Sequence, residues 1–199
     1  MEKYFYQDLF VAQMIFADKP KILADVGSRV DGFVSNIASF KEITVFDIRE
    51  LPDKINNVTF FKQDITLPVD NTQRFDLVTC LHALEHFGLG RYGDPIVKDA
   101  VHRGIEGLVN LVKDNGMLII STSTGRERIE FNADWVFDAQ KLCGIFDLLN
   151  LKLEAVFKFN PQDKNFEFVN PEDITQLSNN DYNLTVFKLL KEKPGNGTL

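Results

Sequence analysis

Between Lys21 and Ser123 the chain alternates short apolar runs with segments of helical periodicity. KILADVGS (21–28), EITVFDI (42–48), VTFFKQD (58–64), the start of RFDLVTCLHALEHF (74–87) and MLIISTS (117–123) read as strands. DGFVSNIASF (31–40) and residues 96–113 read as helices between them, and 74–87 turns helical by Ala83. Near-continuous apolar strands imply burial on both faces. This order therefore predicts an α/β fold, a doubly wound and mainly parallel sheet with helices on each side. Ligands of such sheets sit at the carboxyl ends of the strands.

The flanks extend this pattern. Phe5, Leu9, Ala12 and Phe16 fall at helical spacing across 4–17, which predicts a helix whose apolar stripe covers the core. Asp18-Lys19-Pro20 ends it. Residues 138–149 read as a helix with Asp138 as its N-cap, and LKLEAVFKF (151–159) as a half-exposed strand. A polar loop to about residue 180, a last strand YNLTVFKLL (182–190) and a frayed tail (191–199) complete the reading. The expectation is one domain over 1–199, with 1–19 as an N-terminal helix.

The charge balance, 22 Lys+Arg against 29 Asp+Glu for a net −7, argues against a general nucleic-acid binder. The N-terminal stretch lacks the basic region of a signal peptide, and no apolar run reaches the length of a membrane span. Cys80 and Cys143 lie far apart and read as free thiols. A cytoplasmic protein is the expectation.

Three carboxylates mark the predicted binding edge. Asp25-Val26-Gly27-Ser28 closes the first strand, where a glycine lets the backbone approach a ligand. Asp47, with Ile48 beside it, ends the second strand 20 residues after Gly27, suited to the two hydroxyls of a ribose. Asp64 ends the third, placed for an adenine amino group or a neighbouring backbone. Together they point to a nucleoside-containing cofactor. The G-x-G-x-x-G fingerprint is absent, since Ser28, Arg29, Val30, Asp31 and Gly32 follow Gly27. Asp31 would repel a pyrophosphate, which disfavours a nicotinamide oxidoreductase. S-adenosylmethionine, with no phosphate and a positive sulfonium, tolerates those acids.

HALEHFGLGRYGDP (82–95) follows the fourth strand at the same edge. On a helix His82 and His86 share a face, with Glu85 beside them. Three roles compete: a general base for a hydroxyl acceptor, a metal site, or local hydrogen bonding that orients the loop. The H-E-x-x-H order and an obvious third ligand are missing, so no metal is expected. Arg91 and Tyr92 are candidates to grip an anionic or sugar substrate, with a salt bridge within the loop as the plainer role for Arg91. TGRERIEFNADW (124–135) follows the fifth strand and adds Arg126, Arg128, Asn132 and Trp135, the last either stacking on a sugar or packing.

In order and spacing, ADVGS, VFDI, KQDI, FDLVTCLHALEH and NGMLIIST resemble the class I S-adenosylmethionine-dependent methyltransferases over about residues 20–160. VGSRVDGFV, FDIR, LHALEHFGLGRYGDP and FNADWVF resemble more narrowly a set of small bacterial methyltransferase-like proteins, some associated with surface-polysaccharide gene neighbourhoods. The resemblance implies a Rossmann-like, seven-stranded sheet whose antiparallel last strand is 182–190. It implies S-adenosylmethionine as cofactor. Gly27 and the adjacent backbone, Ser28 included, would line its methionine part, Asp47 its ribose, and Asp64 with Ile65 its adenine. Asp25 would orient the loop or reach the cofactor's amino group. Of the usual glycine motif only the first glycine is present. The reading is a methyltransferase acting on an oxygen of a small polar acceptor, such as a sugar or nucleotide-sugar of surface-polysaccharide metabolism. The alternative is a non-catalytic module that binds a nucleoside or a partner.

Overall fold

The computed structural model describes residues 2–68, 73–131 and 134–193. Helix α1 (Lys3–Asp18) precedes β1 (Leu23–Val26), a π-helical turn at Val30–Val34, α2 (Ser35–Ala38), β2 (Ile43–Asp47), β3 (Val58–Lys62) and β4 (Phe75–Leu81). Then follow α3 (Ala100–Leu111), β5 (Val112–Thr124), the small hairpin β6 (Arg128–Glu130) and β7 (Asp134–Val136), and α4 (Ala139–Leu148). The last elements are β8 (Leu151–Asn160), β9 (Asn165–Val169), α5 (Ile174–Asn179) and β10 (Asn183–Lys191).

Among the described residues, eight strands form one sheet in the order β3-β2-β1-β4-β5-β10-β8-β9. The first five are parallel, and β10 is antiparallel to both β5 and β8. The antiparallel last strand is therefore where the sequence places it, but the sheet has one strand more than expected. The extra strand, β9, lies inside the segment read as a polar loop. It pairs with β8 as a hairpin, Phe157 opposite Phe168 and Phe159 opposite Phe166, and its short half-exposed pattern hid it.

Side chains alternate between the two faces of the central strands, and each face carries its own core. Ala24, Val78, Cys80 and Ile120 face α3 and α4. Leu23, Val45, Leu77 and Ile119 face α1 and α2. Burial raises the Cys80 thiol well above its ordinary range, as suits a core side chain. The Asp138 carboxylate accepts from the backbone of Gln140 and Lys141, capping α4 as the sequence predicts.

Helix α1 is rotated relative to its apolar stripe. Its buried residues are Gln7, Asp8, Val11, Ala12 and Ile15, while Phe5, Leu9 and Phe16 are exposed. The helix still covers the sheet, with Phe10 stacked on Phe166 of β9. What turns it is polar: Gln7 accepts the Ser121 hydroxyl at 2.6 Å, anchoring the first turns of α1 to the end of β5.

Candidate active site

The carboxyl ends of β1, β2, β4 and β5 enclose two adjoining clefts. One is mostly apolar, with Val26, Phe46, Ile48, Ile65 and Phe87 among its walls and Asp47 and Asp64 also lining it. The other is charged and lies under α1 and the hairpin β6–β7. Gly27, Arg49, His82, His86 and Tyr92 line both, so they form the boundary.

The turn after β1 is held from beneath. Asp25 is fully buried and accepts from the Ser28 backbone at 3.1 Å, the Ser28 hydroxyl at 2.7 Å and the Thr79 hydroxyl at 2.6 Å. Burial pushes its carboxyl up to about 6, against the pull of those three bonds. Asp25 thus orients the turn and does not line either cleft. Gly27 has φ +74°, and a Cβ there would lie 2.8 Å from the Ala83 Cβ. Both facts require glycine, and they keep the backbone open to the clefts.

Asp47 ends β2 facing the apolar cleft, but Arg49 covers it. The Arg49 backbone and Nε donate to Oδ1 at 2.8 and 2.9 Å, and Nη2 to Oδ2 at 2.6 Å. The guanidinium also lies 4.8 Å from the Tyr92 ring centre, which ties the Gly88–Pro95 loop to the end of β2. Asp64 sits two residues beyond β3, its Oδ1 engaged by the Thr66 backbone and hydroxyl at 2.9 and 2.7 Å. Ile65 forms the cleft floor against Gly107 of α3. A Cβ on Gly107 would meet the Ile65 carbonyl at 2.1 Å, so that interior glycine permits the close approach.

His82 and His86 do not share a helical face. His82 has φ +50°, and only a 3-10 turn, Leu84–His86, follows. Its backbone N–H donates to the Ser121 carbonyl at 3.0 Å, so the chain leaves β4 still pinned to β5 and cannot start a regular helix there. Each histidine instead has its own carboxylate. His82 Nδ1 pairs with the buried Glu85, and His86 Nδ1 lies 2.7 Å from Asp134. Burial would raise the Glu85 carboxyl, yet the facing imidazoles of His82 and His86 hold it below its ordinary range. The close approach of Nδ1 to the Glu85 carboxylate favours a proton on Nδ1, which leaves Nε2 as the acceptor. His82 Nε2 is buried and has no hydrogen-bond partner among the described residues. The Tyr4 ring packs edge-on against this imidazole, 4.4 Å between centres.

The buried STST run at the end of β5 supports these groups. Ser121 bonds Gln7, Thr122 bonds Glu85 at 3.3 Å, Ser123 bonds Tyr182 at 2.9 Å, and Thr124 bonds Thr185 at 2.6 Å.

The remaining candidates divide. Arg91 and Tyr92 line the charged cleft, but Arg91 pairs with Asp134 at 2.8 Å and Tyr92 stacks with Arg49. Trp135 is not in either cleft: on β7 Asp134 and Val136 face the charged cleft, so Trp135 points the other way and stacks on Phe137. Arg126 is exposed and paired with Asp181, and Arg128 pairs with Glu130 at the cleft rim, but neither arginine itself lines a cleft. Asn132 lies outside the described residues. The sequence reading missed Arg49, Asp134, Tyr4, Asp8 and Tyr182. Arg49 stands in the FDIR motif and Asp134 in FNADW, each beside a residue that was chosen.

A family model described as "Caenorhabditis protein of unknown function, DUF268" matches residues 35–188. The chain belongs to this DUF268 family. No curated protein matches it. Among solved structures, the DUF268 chain is similar to a Burkholderia thailandensis 1,6-didemethyltoxoflavin-N1-methyltransferase with bound 1,6-didemethyltoxoflavin and S-adenosylhomocysteine. The TM-score is 0.66 at 14% identity, over 94% of this chain and 78% of that one. It is similar to a putative methyltransferase from Bacillus halodurans C-125, TM-score 0.63 at 15% identity, over 94% and 100%. The N-methyltransferase NodS from Bradyrhizobium japonicum WM9 in complex with S-adenosylhomocysteine gives TM-score 0.60 at 12% identity, over 94% and 86%. The DUF268 chain therefore has the Rossmann-like methyltransferase fold. Among its described residues no helix is long and apolar enough to cross a membrane.

Proposed function

We propose that this chain is an S-adenosylmethionine-dependent methyltransferase acting on an oxygen of a small polar acceptor, a sugar of surface-polysaccharide metabolism being the expected kind. The observation that carries the reading is the pair of adjoining clefts with His82 on their boundary, its Nε2 buried and unpartnered among the described residues. Two of these structural neighbours hold S-adenosylhomocysteine, the demethylated product.

The apolar cleft suits the cofactor. Ile48 and Ile65 offer apolar faces to a purine, and Asp47 offers two acceptors to a ribose once Arg49 releases them. Gly27 leaves backbone room beside Ala83. When bound, S-adenosylmethionine supplies an electrophilic methyl group. The residues of the chain do the rest: the clefts align the acceptor, exclude water, and give its hydroxyl proton a place to go. In this reading His82 Nε2 accepts that proton, and Glu85 stabilises the imidazolium through Nδ1. Glu85, Thr122 and Ser121 act by positioning.

Arg49 on Asp47 also favours a second reading, a binding module in which the ribose site stays closed. Calorimetry with S-adenosylmethionine and S-adenosylhomocysteine separates the two. Binding of either is expected, and no binding of either at millimolar concentration removes the methyltransferase reading.

A further inference from the structure

The charged cleft, of about 280 Å³, carries a group that the proposed chemistry does not use. Asp8, on the second turn of α1, is 9% exposed, and its one hydrogen bond is from Gln7 to Oδ1 at 3.2 Å. Among the described residues Oδ2 has no hydrogen bond, and Asp8 lines the cleft. Among the described residues no Lys or Arg lies within salt-bridge distance of it; burial raises its carboxyl, and the Gln7 bond and the more distant Arg29 and His82 offset that only in part. A largely buried carboxylate with one oxygen unpaired on a cavity wall gains from a ligand that completes it.

The rest of the wall has the same polarity. Five carboxylates and three guanidiniums line the cleft among the described residues. Each of those guanidiniums already faces a carboxylate: Arg29 faces Asp31, Arg49 faces Asp47, and Arg91 faces Asp134. Tyr4 and Tyr182 also line the cleft, with the Lys3 ammonium already 3.9 Å from the Tyr182 ring centre and 5.2 Å from that of Tyr4, so the positive group sought here is one placed against Asp8. Such a wall penalises a phosphate or carboxylate, and so disfavours a nucleotide-linked sugar. It rewards a positive group placed against Asp8.

We propose that the acceptor is a small polyol bearing a protonated amine, held by an ammonium–Asp8 contact from the N-terminal helix while a hydroxyl faces His82. This rests on the methyltransferase reading for the role of His82, but the charge preference belongs to the cleft itself. Asp8 is then the specificity-determining residue, and Asp134 confers no anion selectivity through Arg91.

The test is calorimetry of the protein loaded with S-adenosylhomocysteine, using glucosamine, glucose and glucose 1-phosphate, one ring carrying positive, zero and negative charge. Glucosamine should bind about tenfold or more tightly than glucose, and glucose 1-phosphate should not bind at millimolar concentration. Asp8→Asn, close in shape and relieved of a buried charge, should erase the preference for the amine and leave S-adenosylhomocysteine affinity unchanged. Equal or better binding of the phosphate, a preference that survives Asp8→Asn, or binding of none of the three overturns the proposal. If S-adenosylhomocysteine itself does not bind, the cofactor reading falls separately. The same three titrations on the unloaded protein then decide the charge preference.

Discussion

The Arg49 guanidinium engages both carboxylate oxygens of Asp47, through Nε at 2.9 Å and Nη2 at 2.6 Å, on the wall of the apolar cleft. A ribose bound there must compete with a bidentate pair. Arg49→Ala should therefore tighten S-adenosylhomocysteine binding, by about fivefold, while lowering stability because a nearly buried carboxylate loses its cation. Asp47→Ala should abolish binding. Calorimetry on the three proteins decides it, and weaker binding by Arg49→Ala would mean that the guanidinium holds the cofactor.

His82 combines a left-handed backbone with a buried, unpartnered Nε2. Asparagine tolerates that backbone best, so His82→Asn tests the imidazole without disturbing the turn. Turnover should fall by about 10²–10⁴ with S-adenosylhomocysteine affinity retained. Glu85→Gln should cost about 10–100-fold and alter the pH profile, because it removes the group that stabilises the imidazolium. Full activity in His82→Asn, read as S-adenosylhomocysteine release with an amine-bearing sugar, would remove the general-base role.

Asp25 makes stability depend on pH. Its folded-state carboxyl, pushed up to about 6, binds a proton more tightly than in the unfolded chain. Its contribution is thus fully present below the ordinary carboxylate range and is lost as pH rises through about 6. Asp8 acts in the same direction, while Glu85, Asp76 and Asp138 act oppositely. The informative quantity is the difference between wild type and Asp25→Asn. In urea unfolding at pH 5 and pH 7.5, the stability gap should change in favour of the variant at the higher pH. A gap independent of pH would show that Asp25 titrates normally.

Much of this was legible in the sequence because parallel strands must be apolar and must end at the ligand edge. The parallel strands and the places of Gly27 and Asp47 at strand ends follow from those two constraints, and the cap at Asp138 from an aspartate standing just before a helical stretch. The orientation of α1 was not legible: apolar spacing pointed to Phe5, Leu9 and Phe16, whereas a single bond from Ser121 to Gln7, 114 positions apart, faces the polar side inward. The face shared by His82 and His86 failed likewise, because local periodicity cannot register that the His82 N–H still belongs to the β4–β5 ladder. Asp134 and Arg49 were missed since their value lies in partners, His86 and Asp47, that only the fold supplies or that sit across a turn.

Gly27→Ala should fail for two reasons that act together. The backbone has φ +74°, costing about 1–3 kcal/mol for a non-glycine residue, and the new methyl would meet Ala83 at 2.8 Å. Relief requires the turn to move away from Ala83, and Gly27 lines both clefts. Both the midpoint of thermal unfolding and S-adenosylhomocysteine affinity should drop. Retained affinity with lowered stability would place the ligand away from this turn.

The two faces of β7 should separate function from packing. Asp134 joins His86 at 2.7 Å to Arg91 at 2.8 Å, fastening the Gly88–Pro95 loop over the boundary between the clefts. Trp135, one residue on, stacks on Phe137 behind the strand. Asp134→Asn should leave the unfolding midpoint nearly unchanged but free the loop, so that trypsin cuts after Arg91 faster, by about tenfold. Trp135→Ala should instead cost about 2 kcal/mol of stability through lost packing and leave that cleavage, measured well below its unfolding midpoint, as slow as in wild type. Faster cleavage in Trp135→Ala alone would reverse the assignment and make the indole, not the carboxylate, the clasp of the loop.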